Sequence, residues 1–219
     1  MSSILAIENR TENWRTSVYF SPMFAGKSYK FAEILGDATE FLPDEVEIEL
    51  FWSGIRDYRY REGLSKNDLE GRVVETYDKK FSELRTHVLA FSGFSELKEY
   101  HYISSGEKAA RGLTNNLIGT ELDVVLETPK QLFIGEAKHK STFGARGKLV
   151  LVHQLIRQYV AANILLELTG VDKEIVPFVV GGSTDYLKKT SQVRFMISQG
   201  WLSQKNILDW EDVKRTQIG

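Results

Sequence analysis

Residues 119–140 read GTELDVVLETPKQLFIGEAKHK, and this stretch decides the fold. Two segments within it, 122–127 and 132–138, are rich in apolar and β-branched residues, which favour strands. Between them stands Thr-Pro-Lys-Gln at 128–131, where proline sets the backbone angle that a tight turn needs. The stretch therefore predicts a β-hairpin.

The predicted hairpin brings four charged residues onto one face. A turn centred on residues 129–130 pairs Asp123 with Glu136 and, two positions further, Glu121 with Lys138. Side chains alternate between the faces of a strand, so all four point the same way. Two carboxylates directly opposite one another repel unless a cation lies between them. The pattern predicts a divalent metal site, since Mg²⁺ takes carboxylate oxygens together with water and phosphate oxygens.

An exposed amphipathic hairpin is the alternative interpretation of the same face. Cross-strand pairs of opposite charge stabilise such hairpins, which would account for Glu121 opposite Lys138. It would not account for Asp123 opposite Glu136, because two like charges in that position weaken the hairpin.

An Asp on one strand followed on the next by Glu-Ala-Lys resembles the signature of the PD-(D/E)XK nuclease superfamily. The matching residues are Asp123, Glu136 and Lys138, and Leu122 stands where the proline of the family name would be. The resemblance implies a restriction-endonuclease-like fold and an enzyme that cuts nucleic acid with Mg²⁺ or Mn²⁺. It assigns Asp123 and Glu136 to the metal, and Lys138 to the attacking water or to the developing charge.

A helix predicted over residues 65–84 supplies one more candidate ligand. It opens on Ser-Lys-Asn-Asp, a capping pattern, and apolar residues recur every three or four positions along it. The resemblance implies that this helix contributes a Glu to the metal site, and Glu70 is the position that matches. A Glu in the first turn of a helix is also favoured by the helix dipole, so that alternative stays open.

The segment after the hairpin carries a positive bias. Residues 138–157 contain several Lys and Arg and no acidic residue, and they begin at the proposed metal site. Cationic side chains bind nucleic-acid phosphates without regard to sequence. The predicted nucleic-acid contacts are Lys140, Arg146, Lys148, Gln154 and Arg157, the last three within a long apolar helix predicted over 148–168.

The whole-chain composition is that of an ordinary globular protein. The 219 residues are 42% hydrophobic and 26% charged, with a net charge of −2, so a basic tail does not drive any nucleic-acid binding. Cysteine is absent, which excludes disulfides and thiolate zinc sites. No apolar run is long enough for a membrane span, and a signal peptide is not evident at the start. We expect a cytoplasmic enzyme.

The order of predicted elements matches an α/β fold with the restriction-endonuclease-like αβββαβ core, a mixed central sheet flanked by helices. Residues 1–64 are predicted to form an N-terminal α+β extension, and residues 65–219 the nuclease-like domain. The remaining predictions are strands at 17–20, 46–52, 86–94, 99–104 and 174–180, a loop at 105–117, and closing helices at 185–200 and 204–214. DNA is favoured over RNA as the partner, and cutting both strands of a duplex would suit a homodimer.

Two other functions remain open. A nuclease-like module that binds nucleic acid or protein without cutting would share the fold. Residues 21–28, SPMFAGKS, are similar to the phosphate-binding P-loop of thymidine kinases, which would make the chain a phosphotransferase using Lys27 and Ser28. Ser21 stands where that pattern requires its first glycine.

Overall fold

A five-stranded mixed sheet forms the centre of the computed structural model, which describes residues 8–26, 28–36, 41–81, 107–139, 143, 151 and 153–217. Its strands are β1 (Glu47–Trp52), β2 (Leu122–Glu127), β3 (Gln131–Ala137), β4 (Glu174–Gly181) and β5 (Ile207–Asp209), and they lie in that order across the sheet. The pairs β1–β2 and β2–β3 are antiparallel, whereas β3–β4 and β4–β5 are parallel. The predicted mixed sheet is therefore confirmed.

The hairpin has the predicted register. Val124 pairs with Gly135 and Glu127 with Leu132, and the Thr128 amide donates to the Gln131 carbonyl across 2.9 Å to close the turn. Every residue of β3 is buried, because this strand lies in the middle of the sheet with helices on both faces. Its mostly apolar sequence suits a strand that has no solvent-facing side.

The helices in the described ranges cover both faces of the sheet. They are α1 (Glu8–Phe20), α2 (Ser28–Leu35), α3 (Gly54–Arg61), α4 (Lys66–Phe81), α5 (Glu107–Ile118), α6 (Gln154–Thr169), α7 (Thr184–Lys189), α8 (Ser191–Ser198) and α9 (Trp210–Arg215). None of them combines the length and the apolar character that crossing a membrane requires.

Helix α6 makes the crossover between the two parallel strands β3 and β4. It ends at Thr169 and is capped by Gly170, whose φ of 67° is left-handed, a conformation that glycine adopts without steric cost. A parallel connection needs such a crossover, because the chain must return to the starting edge of the sheet. The predicted parallel strand over 174–180 is confirmed as β4.

Helices α4, α5 and α6 build the core on one face of the sheet. Leu69, Val73 and Tyr77, which define the predicted apolar stripe of α4, are buried against Leu113 and Leu117 of α5 and against α6. The Ser65 hydroxyl accepts from the Asp68 amide across 3.2 Å, so the predicted N-terminal cap of α4 is present.

The other face is covered by the N-terminal helices and α9. Phe20, Phe31 and Leu35 pack with Phe133 and Phe178 of the sheet in a second buried cluster. Strand β1 pairs with β2 in the same sheet. Residues before position 65 thus contribute both a strand and a covering layer to the structure that contains the hairpin.

Several local predictions were wrong. Residues 17–20, predicted to be a strand, are the last turn of α1. The loop predicted over 105–117 is mostly helix α5, because a helix buries both Leu113 and Leu117, which lie one turn apart. Residues 207–209 form β5 within a region predicted to be helical, because their backbone pairs with β4. Helix α6 begins at Gln154, later than predicted. The strands predicted at 86–94 and 99–104 lie outside the described residues.

Candidate active site at the end of the hairpin

The candidate site lies where β3 ends beside β4. Glu136 pairs with Val179 in the parallel register, and the Lys138 amide donates to the Val180 carbonyl across 2.8 Å. The carboxyl ends of parallel strands are where α/β proteins commonly bind their ligands. The crossover helix α6 starts nearby, so its first two turns face the end of β3.

Glu136 is a buried carboxylate held by three side chains. It is 1% exposed, and its Oε1 accepts from Gln154 Nε2 at 2.5 Å and lies 2.6 Å from Lys138 Nζ. Its Oε2 accepts from Gln158 Nε2 at 2.5 Å. Removing a carboxylate from water costs several kcal/mol unless other donors replace the water, and these three side chains supply such donors.

Lys138 lies on the same face as Glu136, as the alternation of the strand predicted. It is 8% exposed, so it too counts as buried, and its Nζ lies 2.6 Å from Glu136 Oε1. A buried ion pair of this kind contributes little net stability, because desolvation of both ions offsets their attraction. The pair therefore points to chemistry at this end of the strand.

Asp123, on the neighbouring strand β2, lies beside the end of β3 that carries Glu136 and Lys138. Its Oδ2 accepts from the Ala137 amide across 2.9 Å. Ala137 lies between Glu136 and Lys138 in sequence, so the carboxylate of Asp123 is anchored to the backbone that carries both. The structure thus brings the three residues of the sequence motif together.

On the side of Asp123 away from β3, the neighbouring strand β1 contains a residue with a strained backbone conformation. Phe51 of β1 has a φ of 57°, and its position lies opposite Asp123, since Leu50 pairs with Val124 and Trp52 with Leu122. A left-handed aromatic residue costs about 1–3 kcal/mol, and such strain concentrates at functional sites.

The donor set at the hairpin end suits a hard divalent cation. Two carboxylates, with water and phosphate oxygens completing the shell, are the usual ligands of Mg²⁺. Within the described residues, no three His, Cys, Asp or Glu side chains gather closely enough to hold a metal. Glu70, the further metal ligand implied by the resemblance, lines a groove of about 500 Å³ between α4 and α5, together with Glu75 and Arg111.

Of the five residues predicted to contact nucleic acid, the structure describes two, Gln154 and Arg157. Gln154 binds Glu136, and the Arg157 guanidinium donates to the Leu151 carbonyl across 3.2 Å. Burial lowers the pKa of Arg157, and the negative charge of Glu136 acts in the opposite direction. Lys140, Arg146 and Lys148 lie outside the described residues.

Two residues at this site were missed by the sequence analysis. The Gln158 amide donates to Glu136 and, across 2.9 Å, to the Glu121 carbonyl. Its spacing of four from Gln154 puts both glutamines on one face of the helix, and this spacing was the signal in the sequence. Arg15 of α1 lies with its Nη1 2.8 Å from His139 Nδ1, just after β3. No local pattern links residue 15 to residue 139.

The P-loop interpretation finds no support at Ser28. Its hydroxyl donates to the Val46 carbonyl across 3.1 Å, and the residue is 3% exposed. A P-loop serine instead points its hydroxyl at the magnesium of a nucleotide. Lys27 lies outside the described residues.

A cleft of about 770 Å³ lies at the opposite end of the parallel strands, around Gln131 and Glu174. The candidate active site is therefore identified by its charged groups and not by a cavity. Comparison of the chain with protein-family models, with curated proteins and with solved structures finds no match in any of the three.

Proposed function

We propose that the chain is a nuclease that hydrolyses phosphodiester bonds with Mg²⁺ or Mn²⁺ on a restriction-endonuclease-like core. One observation carries the proposal. A buried Glu136–Lys138 ion pair, braced by two glutamine amides, lies beside Asp123 at the carboxyl end of a parallel strand. An antiparallel hairpin followed by a crossover helix and a parallel strand supports that choice of core.

Stability alone does not favour this arrangement. Apolar residues of similar volume in place of a buried ion pair are often neutral or stabilising. Here two glutamine amides also donate to the carboxylate, so four polar side chains are buried together. Apolar side chains in their place would cost less desolvation free energy. Buried charged groups of this kind concentrate at active sites.

Each residue has a role that follows from its position. Asp123 and Glu136 would hold the cation, which supplies a more acidic bound water and neutralises charge on the phosphate. Gln154 and Gln158 orient the Glu136 carboxylate through one hydrogen bond to each oxygen. Lys138, with its ammonium group at Glu136, is placed to orient the attacking water or to neutralise developing charge.

Nucleic acid is the proposed substrate, with DNA favoured over RNA. The supporting feature lies in the sequence: residues 138–157 contain five Lys and Arg and no acidic residue, and they begin two positions after Glu136. Phosphate contacts from such a segment weaken steeply as salt rises. Salt-dependent binding is thus part of the proposal.

A cleavage assay with Asp123→Asn tests the proposed function. The asparagine oxygen can still accept from the Ala137 amide, so the fold should survive while the negative charge is lost. Linear, circular, single-stranded and branched DNA, and RNA, are incubated with Mg²⁺, Mn²⁺ or EDTA. We expect metal-dependent cutting that falls at least about a hundredfold in the variant.

The matched control is Glu127→Gln, a carboxylate at the far end of the same hairpin that pairs with Lys173. It should cut like the wild type. Equal cutting by Asp123→Asn and the wild type would refute the assignment. Salt-dependent DNA binding without cutting, in a folded wild-type protein, would identify the non-catalytic binding module instead.

A further inference from the structure

Arg15 of α1 contacts the chain just after β3. Its guanidinium Nη1 lies 2.8 Å from His139 Nδ1, and both residues are half-buried. His139 directly follows Lys138, whose Nζ lies 2.6 Å from Glu136 Oε1. A cation from the N-terminal part of the chain thus meets a residue that lies three positions after the buried carboxylate.

The sheet carries one cation on each face at this end of β3. Ala137 belongs to the apolar cluster that the N-terminal helices cover, whereas Glu136 accepts from the two glutamines of α6. Since side chains alternate along an extended chain, Lys138 faces α6 and His139 faces α1. Arg15, which is bound to His139, therefore lies on the face opposite to Lys138.

The backbone at His139 is held against the end of β4. The Lys138 amide donates to the Val180 carbonyl across 2.8 Å. A β-carbon at Gly182 would lie 3.5 Å from the His139 carbonyl oxygen, so the loop after β4 also packs against this residue. The imidazole is therefore held at a set place relative to the carboxyl ends of the two parallel strands.

The contact orients the Arg15 guanidinium group and leaves its charge intact. A guanidinium group has only donors, so Nδ1 of His139 accepts and the ring proton lies on Nε2. The imidazole is then neutral. A carboxylate in the same place would orient the guanidinium group too, but it would also cancel the positive charge.

No carboxylate of the described residues lies within ion-pair distance of Arg15. By contrast, the exposed Arg56, Arg61 and Arg215 each pair with a carboxylate. Half-burial removes part of the water around a cation, and the planar fork of arginine matches the oxygens of a phosphate. An oriented guanidinium group without a counter-ion beside the proposed metal site therefore indicates that a phosphate binds there.

The distance from the carboxylates suits neighbouring phosphates of one nucleic-acid strand. Three residues of chain, which span at most about 11 Å, separate the α-carbons of Glu136 and His139. A strand of B-DNA advances about 3.4 Å along its axis per nucleotide, so this span covers about three nucleotides. A strand that passes over the end of the sheet would meet the proposed metal site and Arg15 within that span.

We propose that Arg15 binds a backbone phosphate of the nucleic acid within about three nucleotides of the bond that is cut, and that His139 positions its guanidinium group. This role rests on the proposed function, since it names a further substrate contact of the same site. A phosphate contact supplies affinity without base preference. It comes from α1, which lies outside the segment 65–219 that the sequence predicted to form the nuclease-like domain.

Binding of nucleic acid in EDTA tests Arg15 without cutting. The probes are a labelled duplex DNA, its single strand and an RNA of the same sequence, titrated between about 50 and 200 mM salt. For the probe that wild type binds most tightly, Arg15→Met should lower the affinity about tenfold, the effect of one hydrogen bond to a charged group. The slope of log K against log salt should decrease by about one.

Arg61→Met is the matched control. Arg61 pairs with Glu62, and it follows Tyr58, whose hydroxyl donates to the Leu168 carbonyl at the far end of α6. This variant should bind like the wild type. A folded Arg15→Met protein with the affinity and salt slope of the wild type would overturn the proposal. A structural defect would instead lower the melting temperature and leave the salt slope unchanged.

Two variants of His139 test its positioning role. His139→Asn keeps an acceptor oxygen near the place of Nδ1 and should retain most of the affinity. His139→Leu should weaken binding about two- to tenfold, the effect of one lost hydrogen bond, while the salt slope stays the same because Arg15 keeps its charge. Equal affinities of the two variants would refute the role given to His139.

Cleavage by the same variants separates this role from the proposed function. Arg15→Met should raise KM and leave kcat nearly unchanged, because a phosphate contact away from the cut bond acts on binding. Cutting by Arg15→Met with an unchanged KM would overturn only the role of Arg15. Salt-dependent binding that requires Arg15, without any cutting, would overturn the nuclease activity and retain the phosphate contact. Absence of binding by the folded wild type to all three probes would overturn the contact itself.

Discussion

The side-chain amide of Gln158 donates to Glu136 Oε2 across 2.5 Å and to the Glu121 carbonyl across 2.9 Å. One amide on α6 thus ties the buried carboxylate of β3 to the residue that precedes β2. Because Glu136 is shielded from water, its charge depends on donors of this kind. The link makes the geometry of the hairpin end sensitive to a residue on the crossover helix.

Removing the Gln158 amide should destabilise the fold. Gln158→Leu leaves one oxygen of a buried carboxylate without this donor, and we expect a loss of about 1–3 kcal/mol in the free energy of unfolding. Urea denaturation measures it. Asn163→Ala on the same helix removes a hydrogen bond to the Tyr159 carbonyl and leaves no buried charge without a donor, so it should cost less than Gln158→Leu. Similar losses in both variants would contradict the role given to Gln158.

The Glu136–Lys138 pair should show strong coupling. Lys138→Met removes the cation beside a buried carboxylate, and breaking such a pair costs about 3–5 kcal/mol. In combination with Glu136→Gln, the total loss should be smaller than the sum of the single losses, because the charge that needed compensation is gone. Urea unfolding of the four proteins measures the coupling. Additive losses would show that the two groups do not interact.

Two glycines should respond in opposite directions to alanine. A β-carbon at Gly135 would lie 2.1 Å from Phe178 Cζ, so Gly135→Ala should cost about 1–3 kcal/mol or more through overpacking. Gly71 within α4 faces open space, since a β-carbon at that position would meet no atom within 4 Å. Gly71→Ala should therefore stabilise by about 0.5–1 kcal/mol. Thermal unfolding of the two variants checks both signs.

Acid should weaken the contact between α4 and α6. Hydrogen bonds from Lys79 and then Lys80 lower the pKa of Glu167, and the Lys79 Nζ–Glu167 Oε1 distance is 2.5 Å. A carboxylate with a lowered pKa stabilises the fold above its unfolded value of about 4.3, and that contribution is lost as pH falls through the folded value.

Melting temperatures of the wild type and Glu167→Gln, measured from neutral pH downward, test this contact. The wild type should melt slightly higher at neutral pH, and the difference should vanish in acid. High salt should reduce it too, because both lysines are exposed and Glu167 is only half-buried. A difference that persists at low pH would show that charge is not its cause.

Local sequence was sufficient for much of the sheet and for part of the site. The register of β2 and β3 followed from the turn at 128–131, because a tight turn and strict alternation leave one pairing. The side-by-side placement of Glu136 and Lys138 followed from the same alternation. The apolar stripe of α4 was equally readable from its spacing.

Other features depended on contacts between distant parts of the chain. Strand β1 joins β2 across more than sixty intervening residues, and β5 is only three residues long, too short for a periodic signal. The polar residues of helix α5 would also suit a loop. The segment is helical because a helix buries Leu113 and Leu117 in the core that α4 and α6 form.

The amino-acid sequence by itself determined the hairpin, its register and the charged motif of Asp123, Glu136 and Lys138, because these depend on neighbours within a few residues. Only the tertiary structure decided that two amides of α6 enclose Glu136 and that Arg15 of α1 contacts His139. Desolvation and hydrogen-bond partners arise where separate elements pack together, and no local periodicity encodes them.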